Sequence, residues 1–215
     1  MKLSKIFPGK SLREKYKQEI KIVHRDLLKL GEIVKIKPAC IAEIGGGAWD
    51  KYVQYNPKCD PQALAKYFQR NDPKIYLAME RHTGLKVLKE ISYSVAEVVD
   101  EALEDCCAAE LLLAVSYPGV LRISDVKFCN LYQEIPEAQR KYRFQYYKGL
   151  RLFPELMKNC EEYCIEHGIK EITLSAAYID LVPFFEEHGF AVEDTPTGRA
   201  SLEFKVGIPM VKVLA

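Results

Sequence analysis

The sequence has almost no net charge, a single tryptophan, no low-complexity tract and no long uninterrupted apolar run. Lys and Arg number 31 against 30 Asp and Glu, a formal charge of +1, so no overall field draws the chain to long nucleic acid or to an anionic membrane. Any basic site must be local. The longest strongly apolar stretch, Ala108 to Val115, is broken by Glu110 and falls far short of the roughly 20 residues that cross a bilayer. The first residues carry charges around a very short apolar patch, unlike a signal or transit peptide, so the expectation is a soluble, cytoplasmic protein. Repeats and flexible linkers are missing too, which predicts one domain over residues 1–215. The seven cysteines are odd in number and lack disulfide-type spacing, so reduced thiols are expected.

What is present is ordinary globular composition, 48% apolar and 28% charged. Leu12, Tyr16, Ile20, Val23, Leu27 and Leu30 follow a 3.6-residue period, which predicts a helix from Ser11 to Leu30 within an N-terminal helical extension over 1–38. Ile33 to Ile36 and Ala39 to Ile44 read as strands closed by Gly45-Gly46-Gly47. A short helix is predicted from Asp60, with Pro61 in its first turn and Leu64, Tyr67 and Phe68 on one face. Lys74 to Arg81 and Leu85 to Tyr93 read as a hairpin around His82-Thr83-Gly84. Ser94 and Glu97 form a capping-box pattern that predicts a helix ending near Ala109. Leu111 to Ser116 and Val120 to Phe128 flank Tyr117-Pro118-Gly119 and predict a second hairpin.

The last third has the clearest pattern. Phe153 to His167 is an amphipathic helix stopped by Gly168, Glu171 to Ala176 a strand, Leu181 to His188 a short helix closed by Gly189, and Phe190 onward strand-rich. Interleaved helices and strands imply an α/β or α+β fold, with a mixed, mostly antiparallel central sheet flanked by helices.

Within this third, Cys160 to Leu174 contains His167-Gly168-Ile169 before a strand, and Phe184-Phe185 precedes Gly189-Phe190. This succession resembles the C-terminal half of the GNAT superfamily of N-acetyltransferases, over about Lys148 to Leu214. The resemblance implies an acyl-CoA N-acyltransferase-like fold and transfer of an acetyl or other acyl group from coenzyme A to an amine of a small molecule or protein. The pyrophosphate would lie at a loop opening a helix, where unpaired N–H groups and the dipole favour an anion. Aligned back from Gly168, that loop is Lys148 to Phe153. Lys148 matches the family's basic first position, Gly149 is shifted, and Arg151 and Phe153 stand where the family has small residues. By the same resemblance, Lys148, Gly149 and Arg151 would bind the cofactor, with the backbone of Phe128 and Cys129 on the preceding strand. The family's frequent tyrosine acid is replaced by Phe185, which has no proton to give, and Tyr178 is an available substitute. No catalytic residue is assigned. The stretch 129–147 is an insertion before the loop.

Other readings compete. Gln139 to Arg151 concentrates cations and aromatics and could bind coenzyme A, stack on single-stranded nucleic acid, or pack as a surface loop. Ile41 to Gly47 looks like the first motif of class I S-adenosylmethionine-dependent methyltransferases, though no acidic strand end follows at the needed distance. Trp49 beside it could stack on a ligand or sit in the core. Cys160, Cys164 and His167 share a helix and could be imagined with His188 around a metal; core packing is the better account, and no metal is assigned. A non-catalytic GNAT-like binding protein is the main alternative to an enzyme.

Overall fold

The computed structural model describes residues 1–56, 58, 74–142 and 144–214. Its centre is an eight-stranded sheet in the order β1-β2-β3-β4-β6-β8-β7, with β5 paired to β4 off that path. The strands are β1 Ile20–Arg25, β2 Leu88–Val98, β3 Cys107–Ser116, β4 Val120–Glu134, β5 Tyr147–Gly149, β6 Glu171–Tyr178, β7 Ala191–Val192 and β8 Val206–Val213. Among the described residues only β4 and β6 run parallel, and the other pairings are antiparallel. This is the mixed, mostly antiparallel α+β sheet expected from the sequence, and helices cover both of its faces.

One face is covered by α1 (Gly9–Lys15) and α5 (Phe153–His167). From α5, Leu156, Cys160, Tyr163 and Cys164 join Leu121, Ile123, Ile172 and Leu174 of the sheet in one apolar cluster. Burial pushes the thiols of Cys160 and Cys164 up, as expected of core cysteines. The other face is covered by α2 (Leu30–Ile36), α3 (Pro38–Tyr55) and α4 (Ile75–Thr83), whose Ile33, Ile41, Ile44 and Met79 pack with Ile91, Tyr93 and Leu112. Two further helices, α6 (Val182–Glu186) and α7 (Pro196–Phe204), flank β6 and β8 in sequence.

The elements of the last third and the second hairpin form as expected. Gly168 and Gly189 adopt the left-handed conformation their positions require. Upstream, several readings change. The Ser11 to Leu30 helix is α1 followed by β1: the backbone turns extended at Tyr16, and the β-branched Ile20, Ile22 and Val23 pair with β2. The strands at Ile33 to Ile36 and Ala39 to Ile44 are helical, because burial of Ile41, Ile44 and Ala48 follows turns and not alternation. Lys74 to Arg81 is α4 rather than a strand, ended by Gly84 at φ 70°. The helix expected after Ser94 is the continuation of β2, where the Ser94 hydroxyl lies 2.7 Å from His24 Nδ1 across the ladder instead of capping. Phe190 onward contains α7, started by Thr195, which accepts from the Gly198 N–H. The helix expected from Asp60 lies outside the described residues.

A slip in phase marks the centre of the sheet. Along β4, Leu121 and Ile123 face the α5 side, and so do Val126 and Phe128, one residue out of step. Ser124 is the extra residue: Leu113 pairs with Ile123 and Leu112 with Asp125, a β-bulge.

Candidate active site

The parallel ladder between β4 and β6 runs only from Leu121↔Ile172 to Ile123↔Leu174. Past it, at the bulge, β4 continues for eleven residues and β6 for four with no pairing between them. Farther along, this edge of β4 is closed by the chain itself: Cys129 and Asn130 pair with Gly149 and Lys148, and the Leu150 N–H donates to the Phe128 carbonyl at 3.1 Å. Strand alternation directs the N–H and C=O of Val126 to the same edge as those of Phe128. The ladder to β6 does not reach that residue. On the opposite edge, the Tyr16 hydroxyl donates to the Cys129 carbonyl and accepts from the Leu131 N–H. Burial raises the Tyr16 pKa to about 12, which keeps the phenol protonated for that bond.

Beside this parting lies the loop that opens α5. Gly149 and Lys148 are exposed on β5, Leu150 is buried, and Arg151 is an exposed residue held at φ 55°. Left-handed Arg151 followed by right-handed Leu152 (φ −96°, ψ −3°) presents successive N–H groups toward one side, a turn geometry suited to an anion. Pro154 in the first turn has no N–H to satisfy, and Glu155 sets a carboxylate on the same turn. Lys148, Gly149 and Arg151 are thus brought together at the helix entrance. Phe128 and Cys129 sit beside them on β4, but the Phe128 carbonyl is occupied by the chain, and burial pushes the Cys129 thiol up to about 11.

The basic and aromatic stretch before the loop is largely paired within itself. The Arg140 guanidinium lies 4.5 Å from the Tyr146 ring centroid and donates to the Ile135 carbonyl, and Lys141 lies over Tyr142. Tyr142 and Phe144 stack near-parallel on Tyr178 at the end of β6, with centroids 5.4–5.9 Å apart. Residues 135–142 and 144–146 therefore lie between the end of β4 and the end of β6. Phe185 is buried against Phe153 and Phe190.

On the α3 side of the sheet, at the paired start of β4 and β6, is a cavity of about 210 Å³. The sequence reading passed over it, since its parts come from five distant segments. Arg122 enters from β4, buried, and donates to Glu43 of α3 at 2.6 Å and to Ser175 of β6 at 3.1 Å. Lys51 pairs with Glu171 at 2.8 Å. Asp50 and Glu193 complete the charged lining. The signal available was Arg122 itself, a lone cation between Leu121 and Ile123 in a strand.

Gly45-Gly46-Gly47 is not a cofactor loop. The three glycines lie inside α3, so the strand and turn that a methyltransferase motif requires are not formed. A Cβ on Gly45 would meet Ile75 of α4 at 1.9 Å, one on Gly47 would meet Arg122 at 2.8 Å, and Gly46 has nothing within 4 Å. Trp49 is buried and stacks on Tyr52 at 5.5 Å. Among the described residues, no group of three or more His, Cys, Asp or Glu is placed to hold a metal ion. Nor is any described helix long and apolar enough to cross a membrane.

No protein-family model matches the chain, and no curated protein matches it. Among solved structures, it is similar to the IAA acetyltransferase from Bacillus cereus, with 12% identity, 90% of this chain and 100% of that chain covered, and a TM-score of 0.37. An acetyltransferase of the GNAT family from Staphylococcus aureus gives 13% identity, 92% and 100% coverage, and a TM-score of 0.36. A Bacillus subtilis acetyltransferase solved in complex with CoA gives 14% identity, 58% and 78% coverage, and a TM-score of 0.33.

Proposed function

We propose that the protein is an acyl-CoA-dependent N-acyltransferase, moving an acetyl or other acyl group from coenzyme A to an amine. The observation that carries this reading is the parting of parallel β4 and β6 at the Ser124 bulge, with β5, which pairs with β4 just beyond it, leading into a cationic turn at the start of a helix. A thioester lying in that gap could hydrogen-bond the Val126 backbone, while its phosphates meet the turn at 149–152 with Lys148 and Arg151 beside it. The GNAT resemblance read from Lys148 to Leu214 supports the same assignment.

Attack on a thioester carbonyl needs a neutral amine and a proton for the departing thiolate. Tyr178 stands at the end of β6, but its ring is engaged by Tyr142 and Phe144. A second reading, a binding protein on the same scaffold, is favoured by the self-pairing of β4 at 128–130, which takes up backbone that a ligand could otherwise use.

Titration with acetyl-CoA and longer acyl-CoAs, followed by thermal shift, tests the site; ligand at 100 times its Kd stabilises by about 2.7 kcal/mol. The absence of any shift overturns the transferase reading, and a shift without thiol release over an amine panel selects the second. Arg151→Gly separates charge from backbone. It relieves a left-handed side chain, a gain of up to about 1 kcal/mol, and weakens coenzyme A binding.

A further inference from the structure

We propose that the cavity between α3, the start of β4 and β6, and the 193–197 segment binds a small primary ammonium compound that also carries an oxygen acceptor. The ammonium would sit between the Asp50 and Glu193 carboxylates, and the oxygen toward Arg122.

The cavity is built rather than left over. Gly46 forms part of its wall, and with nothing within 4 Å of where its side chain would begin, any larger residue there would project into the space. Glu193 is positioned by its backbone: its N–H donates to the Pro209 carbonyl at 3.0 Å, and its carbonyl lies so close to Gly198 that an added Cβ would be 2.1 Å away. Asp50 arrives from α3, an unrelated element. The other charges of the lining are already used, Lys51 by Glu171 and Glu43 by Arg122. Asp50 and Glu193 form no ion pair among the described residues; Arg122 and Lys51, each bonded to another carboxylate, act on them only at longer range.

The electrostatics agree with this geometry. Asp50 is open to the cavity, yet it is surrounded closely enough by protein that desolvation, followed by the charge of Glu193, raises its pKa; Arg122 offsets part of this. A cation between the carboxylates removes that penalty. A metal ion fits less well, since no third acidic, histidine or cysteine ligand among the described residues completes a coordination shell. At the inner wall, Arg122 has a side chain nine-tenths buried, and its bonds to Glu43 and Ser175 both use Nη2, leaving Nη1 without an acceptor among the described residues. An oxygen on the ligand would use the remaining donor capacity of the guanidinium. With about 210 Å³ available, against about 30 Å³ per water in the liquid, the ligand has few heavy atoms.

Naming this compound as the acyl acceptor rests on the N-acyltransferase reading; the binding itself does not. The test is calorimetric titration of the whole protein with 4-amino-1-butanol, 1,4-butanediol and 4-hydroxybutyrate, which keep one oxygen and vary the charge at the other end. The amine should bind most tightly, and Asp50→Asn and Glu193→Gln should each weaken it about tenfold or more. Gly46→Leu should abolish binding from the opposite wall while touching neither carboxylate. Equal binding of amine and diol, or unchanged amine affinity in both carboxylate variants, overturns the proposal. Coenzyme A titration of the same samples keeps the two readings apart. Amine binding without coenzyme A binding removes the transferase and retains the site; the reverse removes the site alone.

Discussion

The two faces of this sheet are covered by helices of similar length and are organised by different physics. Under α5, Leu121, Ile123, Ile172 and Leu174 meet an apolar helix stripe, and the cluster is continuous. Under α3, the same two strands present Arg122, Thr173 and Ser175, and the helix answers with Glu43, three glycines and a cavity. Lys37 continues this pattern at the other end of the helix, paired with Asp125 at 2.8 Å and Glu110 at 3.1 Å. Burial alone would lower its pKa, but the Asp125 and Glu110 carboxylates outweigh that and raise it. The α5 face contributes apolar packing, whereas the α3 face combines an apolar cluster with polar groups held at a stability cost of the kind that binding or chemistry explains.

The comparison can be broken by substitution. Leu156→Ala, fully buried under the α5 face, should cost about 2–5 kcal/mol by losing contacts and leaving a cavity. Each kcal/mol should lower Tm by about 2–4 °C in a chain of this size. Gly45→Ala forces α3 away from Ile75 and the Tyr76 backbone and should cost about 1–3 kcal/mol by overpacking. Its neighbour Gly46→Ala, with open space, should instead stabilise by about 0.5–1 kcal/mol. Chemical denaturation of the pair checks both signs.

Smaller effects separate charge from packing. Arg122→Ala should cost about 1–3 kcal/mol, and Arg122→Met should recover most of it, because an apolar side chain of similar volume needs no partner. Full destabilisation in the methionine variant would show that the face depends on the ion pair itself. Asp50→Asn should have the smallest effect and the opposite sign. Asp50 has a raised folded pKa, so its contribution is favourable below the unfolded carboxylate pKa and is lost as pH rises through the folded value. At neutral pH the unliganded Asp50→Asn variant should therefore be slightly more stable than the parent, with the gap closing toward pH 4. A pH series of denaturation midpoints reads this directly.

The sequence revealed the α5 face and hid the other. Phe153 to His167 is legible because its period and its glycine stop agree, and the second hairpin because its turn chemistry is explicit. The readings over 11–44 and 74–81 misled for a physical reason. Ile20 to Arg25 carries a helical spacing that an edge strand overrides, and α3 contains three glycines that local propensity assigns to a loop. At Gly45 and Gly47, Ile75 of α4 and Arg122 occupy the space a side chain would take, which no local window contains. The entrance of α5 could be located from Lys148 and Arg151, whereas the cavity could not, because Asp50, Arg122, Ser175 and Glu193 meet only after folding. The bulge at Ser124 was written in the sequence, as the shift from apolar 121 and 123 to apolar 126 and 128.

The position of β8 has a consequence for synthesis. Strands β1 to β4 follow one another as neighbours, so that part of the sheet can assemble as it leaves the ribosome. β6 and β7 cannot complete theirs, because β8 lies between them and supplies the partner of both. Until Val206–Val213 have been translated, the outer edge of β6 stays open, and the nascent chain carries an unpaired strand that a holdase chaperone or a second nascent chain could capture.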